Sequence, residues 1–271
     1  MIHNKIEFLN DTTALSPQVR KTMRQPALIS SPVILLMLAA CSGNNSASTV
    51  AAPVSATSIA GSQGLFASEA GNNTINGTDD VDDEVTYYDD PAGVTVSLEE
   101  GTATDGWGGT DTLLDVENVE GSKHGDTITG NGAANHIYGY DGGDILEGGE
   151  GTDDLWGNNG KDRFVLDTKG HNISTTVKDF NAGNDTLIVD IANFDNLSES
   201  DKGKISDFFD TLNITGVSDP VTLTISGVVN LTVKQVSNDV EITNTAQDAT
   251  NNFDVINTDI DHLSSYNFEF V

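Results

Sequence analysis

Between Gly121 and Val165 an oxygen-bearing side chain returns at every ninth position: Asp126, Asn135, Asp144, Asp153 and Asp162. Carboxylate and amide oxygens repeated at one fixed place are hard donors, the kind that calcium collects several of at once. They sit in five nonapeptides in one unbroken frame, GSKHGDTIT, GNGAANHIY, GYDGGDILE, GGEGTDDLW and GNNGKDRFV. A glycine opens each unit (Gly121, Gly130, Gly139, Gly148, Gly157), and an apolar residue holds the eighth place (Ile128, Ile137, Leu146, Leu155, Phe164). Glycine tolerates positive φ, so it is expected to let a six-residue loop turn tightly and aim its carbonyls inward. The last three residues are expected to form a very short strand whose single apolar side chain points into a core. One nonapeptide buries too little to stand alone, so stacking must supply that core. A flexible Gly/Asp linker would not keep five apolar residues nine apart in frame with five Asp or Asn.

The fourth unit meets every fixed place of G-G-x-G-x-D-x-U-x, and on these residues the chain resembles the RTX, or hemolysin-type calcium-binding repeat, family. The resemblance implies an all-β fold, a parallel β-roll of nonapeptides, to which the residue pattern after 193 adds a small β-rich C-terminal region containing one short helix. It implies Ca2+ as the cofactor, two nonapeptides per coil, and metal between loops of successive coils. Units one, three and five would then share one edge through Asp126, Asp144 and Asp162. Units two and four would share the other through Asn135 and Asp153, a pair with one charge fewer and weaker binding. Gly139, Asp141, Gly148 and Glu150, from the loops of units three and four, complete the candidate set. Unit one lacks glycine at places two and four, so its loop is expected to fit metal less well. The segment Val177–Leu187 resembles the one that closes the roll in this family, which makes Asp179 and Asp185 second-rank ligands.

The flanks divide the chain into a leader (1–40), a flexible tether (41–70), a β lead-in (71–120), the roll and its closing strands (121–192) and a C-terminal region (193–271). Pro26 to Ala40 is apolar, follows Arg20, Lys21 and Arg24, and ends Leu38-Ala39-Ala40-Cys41. It resembles a bacterial lipoprotein signal, with Cys41, the only cysteine, as the lipidated residue and an outer-membrane anchor as the implied partner. A generic secretory signal and a buried apolar helix are the alternatives. In the lead-in, Val94–Leu98 alternates as a half-buried strand, and 101–109 is rich in turn residues. Asp79, Asp80, Asp82 and Asp83 read as a solvated acidic loop, with a further calcium site as the alternative. Ser198–Leu212 reads as a helix, with Ile205, Phe208, Phe209 and Leu212 on one face and a capping box from Ser198 to Asp201. Residues 221–226, 231–236 and 240–243 alternate as strands, the last two forming a hairpin. The C-terminal Phe268-Glu269-Phe270-Val271 reads either as a final edge strand or, by resemblance, as a type I secretion signal.

With 42 acidic and 12 basic residues the formal charge is −30. Loss of residues 1–40 would remove four bases and two acids and leave −32. Such a charge excludes nucleic acid as a partner, which needs basic surface. It also predicts that carboxylates stacked in the repeats repel one another until a cation neutralises them, so that binding and folding are one event. No H-E-x-x-H, G-x-S-x-G, P-loop or dinucleotide fingerprint occurs, and His3, His124, His136, His171 and His262 are scattered. The expectation is therefore a non-enzymatic, exported calcium-binding module at the cell surface or beyond, structural or adhesive, with a glycan or cell-surface ligand as its partner. The alternatives are a small glycan-active enzyme, with Trp107 and Trp156 stacking on sugar rings, and a non-catalytic fragment of a larger exported enzyme.

Overall fold

In a computed structural model the described residues are 59–60, 64–78, 83–167, 173–191, 196–210, 220–225, 229–236, 239–245, 251–255, 263 and 265–271. Cys41 and the leader, most of the tether, Asp79, Asp80, Asp82 and Leu212 lie outside them.

Strand dominates the described residues, with a single α-helix. The repeats set the pattern. Each places its last residues in a short strand: β9 (Thr127–Thr129), β10 (His136–Tyr138), β12 (Ile145–Glu147), β13 (Gly151–Trp156) and β15 (Arg163–Asp167). Successive units alternate between two ten-stranded sheets. Strands β9, β12 and β15 pair in parallel in one sheet, and β10 and β13 in the other. The first sheet starts at β1 (Ile59–Ala60) and β3 (Thr74–Asn76), the second at β2 (Leu65–Ala67), and β11 (Asp141–Gly142) pairs with β14 (Asn159–Gly160) outside both. One full coil thus takes two nonapeptides, and residues 18 apart meet: Ile128, Leu146 and Phe164 align in one column, Ile137 and Leu155 in the other.

Both columns run far beyond the repeats. In the first sheet Val96 of β5 (Thr95–Ser97) precedes Ile128. Leu187 of β17 (Thr186–Asp190) and Phe268 of β22 (Phe268–Phe270) follow Phe164. In the second sheet Val85 of β4 (Glu84–Thr86) and Val119 of β8 (Asn118–Glu120) precede Ile137. Val177 of β16 (Ile173–Val177) and Val255 of β21 (Asn251–Val255) follow Leu155. All these side chains are buried between the sheets. Removing one such side chain from water is worth about 1.5–3 kcal/mol. The boundaries expected at 120 and 192 therefore interrupt neither sheet, and the described residues from 59 onward group as one unit.

Two segments depart from the simple coil. Between β4 and β8 the chain forms a three-stranded meander in the first sheet: β5, β6 (Thr102–Thr104) and β7 (Thr110–Leu114), joined antiparallel. The segment read as turn-rich at 101–109 thus contains a strand. At the C-terminal end of the second sheet β18 (Val221–Ile225), β19 (Val229–Val236), β20 (Asp239–Asn244) and β21 pair antiparallel. The hairpin expected between 231 and 243 is β19–β20. Helix α1 (Glu199–Asp210) buries Ile205, with Phe208 packed against the core. The Asp201 N–H donates to Ser198 Oγ at 3.1 Å, the expected N-cap. Strand β22 is the edge strand read in Phe268–Phe270, parallel to β17.

Candidate metal centre

The sixth-place residues stack at the loop ends of the two sheets. In the first column the N–H of Asp126 donates to Asp144 Oδ1 (2.8 Å), that of Asp144 to Asp162 Oδ1 (3.0 Å) and that of Asp162 to Asp185 Oδ1 (3.0 Å). In the second, the Asn135 N–H donates to Asp153 Oδ1 (3.0 Å). Each carboxylate thus reaches one coil back, and all six side chains are buried. Asp185 takes the repeat's own role in the column. Asp179 does not: it accepts the N–H groups of Gly157 (2.9 Å) and Asn158 (2.8 Å) at the start of unit five.

The second oxygen of each carboxylate separates the loops into two kinds. Asp126 Oδ2 accepts the Ser122 N–H at 2.6 Å and Asp185 Oδ2 the Asn181 N–H at 2.8 Å, while Asn135 Oδ1 accepts the Asn131 N–H at 2.9 Å. These loops satisfy their own acid or amide from the second residue of the loop. Asp144, Asp153 and Asp162 differ: the Oδ2 of each is buried with no hydrogen-bond partner. In those three units the second residue is left-handed, Tyr140 at φ 71°, Gly149 at 91° and Asn158 at 62°, and its N–H does not reach the acid. A buried carboxylate oxygen with no partner carries its full desolvation cost. Burial pushes Asp144 up to about 7, helped by the charges of Asp126 and Asp162. Burial also lifts Asp153 to about 7 and Asp162 to about 6, with Asp154 adding to the first and Asp185 and Asp179 to the second.

The opening glycines serve a purpose other than the one expected. None of Gly121, Gly130, Gly139, Gly148 and Gly157 is left-handed; positive φ falls instead at place two and, in Gly142 and Gly151, at place four. A Cβ on Gly139, Gly148 or Gly157 would collide with the unpartnered Oδ2 of Asp144, Asp153 or Asp162. Glycine opens the unit because the carboxylate folds back over its Cα. At Gly130 and Gly160 a Cβ would also strike a carbonyl of the next or previous coil, so the loops stack at backbone distance.

Asn135 fills its own surroundings. Its Nδ2 donates to the Glu117 carbonyl (2.6 Å) and to Asn131 Oδ1 (3.1 Å). The side chains of Asp141 and Glu150 are exposed on the loops, Asp141 accepting from Asn159 Nδ2 at 2.9 Å and adding its charge to those that raise Asp144. Among the described residues no group of three or more His, Cys, Asp or Glu side chains converges as a metal cage.

Four further buried acids precede the repeats: Asp83, Asp90, Asp105 and Asp111. Asp83 is not part of a solvated loop. Its oxygens accept from the Thr78 N–H (2.5 Å), Thr78 Oγ1 (2.8 Å) and the Gly64 N–H (3.4 Å), and these bonds outweigh burial and lower its pKa. Burial, then the charges of Asp105 and Asp111, raises Asp90 to about 6. These acids follow no constant period, so the nonapeptide frame does not find them.

Outside the loops, Trp156 stacks on Tyr138 (4.4 Å, 12°), and Tyr140 packs edge-on against Tyr88 (4.9 Å). Trp107 lies between β6 and β7 of the first sheet and Trp156 ends β13 of the second, so the two tryptophans do not share a strand face. No family model matches the sequence, and no curated protein matches it.

Proposed function

We propose that this protein is an exported, calcium-binding RTX-type β-roll whose folding is driven by the ion, serving as a structural or adhesive module at the cell surface rather than as an enzyme. One observation carries the reading: Asp144, Asp153 and Asp162 each hold a buried, unpartnered carboxylate oxygen beside a glycine that leaves it room. The donors fit the ion, since hard carboxylate and carbonyl oxygens on stacked flexible loops suit calcium better than a soft or strictly octahedral metal. Bound there, calcium supplies the counter-charge that the chain lacks. The chain's own residues do the rest. The opening glycines clear the space, the left-handed second residues withhold their N–H groups, and the Oδ1 atoms tie each coil to the one before.

Units three, four and five are the binding loops in this reading. Units one and two, with Ser122 and Asn131 donating to the sixth-place residue, are self-satisfied. Lipidation of Cys41 and outer-membrane anchoring complete the proposal for location, and the surface ligand of such a module would be a glycan or another cell-surface molecule. Size-exclusion chromatography of the purified protein in chelator and in millimolar calcium tests the reading. A fall in hydrodynamic radius with calcium, not reproduced by magnesium, supports it; one radius in all three buffers refutes it.

A further inference from the structure

We propose that the turn between β6 and β7 builds a cation site outside the nonapeptide repeats, from the carboxylates of Asp105 and Asp90 and the main-chain carbonyl of Gly71, and that it takes a hard divalent cation. Asp105 is 2% exposed. Its Oδ1 accepts the N–H groups of Trp107 (3.0 Å) and Gly109 (2.6 Å), and its Oδ2 is buried without a partner. A Cβ on Gly109 would meet both Asp105 Oδ2 and the Gly71 carbonyl oxygen, so an anionic and a neutral oxygen converge over one bare Cα. At Asp144 and Gly139 an unpartnered Oδ2 likewise lies over a bare Cα, though without the carbonyl. The Gly71 carbonyl also accepts from Asn73 Nδ2 at 3.0 Å and keeps a second lone pair.

Asp90 is also buried, its Oδ2 accepts the Gly106 N–H at 2.7 Å, and it lies close enough to Asp105 to feel its charge. Asp111 adds a third charge close by. Its oxygens are engaged by the Asn73 N–H (2.9 Å), Asn73 Nδ2 (3.2 Å) and Tyr87 Oη (3.4 Å), so it contributes field rather than a free donor. Among the described residues no Lys or Arg pairs with Asp90, Asp105 or Asp111. Buried carboxylates persist only when paired, coordinated or neutralised by a proton. N–H donors gathered on one oxygen of Asp105 leave the other for a cation. Carboxylate and carbonyl oxygens select a hard ion, and donors spread over three loops favour calcium over the smaller, strictly octahedral magnesium. The rival state is a site that takes no cation.

Terbium, a luminescent substitute for calcium, separates the two, because a nearby indole sensitises its emission and Trp107 adjoins the site. On the full purified chain, Trp107→Phe should remove one component of terbium emission, and Asp105→Asn should remove the same component. The double substitution should remove no more than either alone. Equilibrium dialysis should count one calcium fewer per chain for Asp105→Asn. Emission indifferent to either substitution, or an unchanged calcium count, would overturn the site. If Asp105→Asn does not fold in calcium, Trp107→Phe alone decides, and undiminished emission then refutes the proposal. Failure of the repeat-loop reading is visible separately, as an Asp144→Asn variant that binds as many ions as the wild type.

Discussion

Replacing Asp144 by asparagine should stabilise the protein in the absence of calcium. The folded chain holds this carboxyl up to about 7 against an ordinary 3.8, so its charge opposes folding. A shift of that size corresponds to roughly 4 kcal/mol, at about 1.4 kcal/mol per unit. The sign follows from proton linkage. Between 3.8 and 7 the folded state binds more protons than the unfolded state, so stability falls as pH rises through that window and levels off above it. Asparagine keeps the acceptor for the Asp126 N–H and has no charge to bury. It places an Nδ2 at the former Oδ2 position, and a buried donor without a partner costs about 1–3 kcal/mol. The net gain at pH 7.5 in chelator is therefore about 1–3 kcal/mol, turning to a loss of similar size near pH 4, where the native carboxyl is already neutral. Because the chain should be largely unfolded in chelator, refolding by the osmolyte trimethylamine N-oxide at the two pH values measures both. An Asp144→Asn variant less stable than wild type in chelator at pH 7.5, or offset equally at both pH values, would refute the claim that an uncompensated charge is held there.

In calcium the order should invert: Asp144→Asn should lower the urea midpoint more than Asp126→Asn, since Ser122 already satisfies Asp126, and equal losses would argue against the division of the loops. Phe164→Ala should cost about 3–5 kcal/mol in calcium, because the ring is fully buried between Leu146 and Leu187; a loss under 1 kcal/mol by the same assay would contradict the continuous column. Cys41→Ser should move the protein from the membrane fraction to the soluble fraction on cell fractionation, and an unchanged distribution would remove the lipid anchor from the account.

The repeats were legible because a fixed period makes three signals coincide: the glycine, the sixth-place oxygen and the eighth-place apolar residue. The two-unit coil is implied by the resemblance and not by the period itself, and the register of Ile128, Leu146 and Phe164 agrees with it. The β19–β20 hairpin and the Ser198 cap were legible for a similar reason, since their partners are close in sequence. Long-range partners were hidden. Strand β22 joins β17 and β21 joins β16 across some eighty intervening residues, so the C-terminal segment reads as separate although it extends both sheets. The bond from Asn73 to Asp111 spans 38 residues and that from Gly106 to Asp90 spans 16, and neither falls on the nine-residue frame. The place-one glycines were visible but misread: positive φ is the usual reason for an invariant-looking glycine, whereas here a carboxylate returning from five residues later needs the room.

Far-UV circular dichroism of the purified protein during a calcium titration tests the central claim most directly. Asp144, Asp153 and Asp162 are buried with an unpartnered oxygen each and oppose folding until a cation neutralises them. The account predicts weak β signal in chelator and a cooperative gain at about 10⁻⁴–10⁻³ M calcium, the range of extracellular calcium modules, with magnesium unable to replace it. A full β spectrum in excess chelator, unchanged by calcium, would contradict it and make the stacked coil self-sufficient.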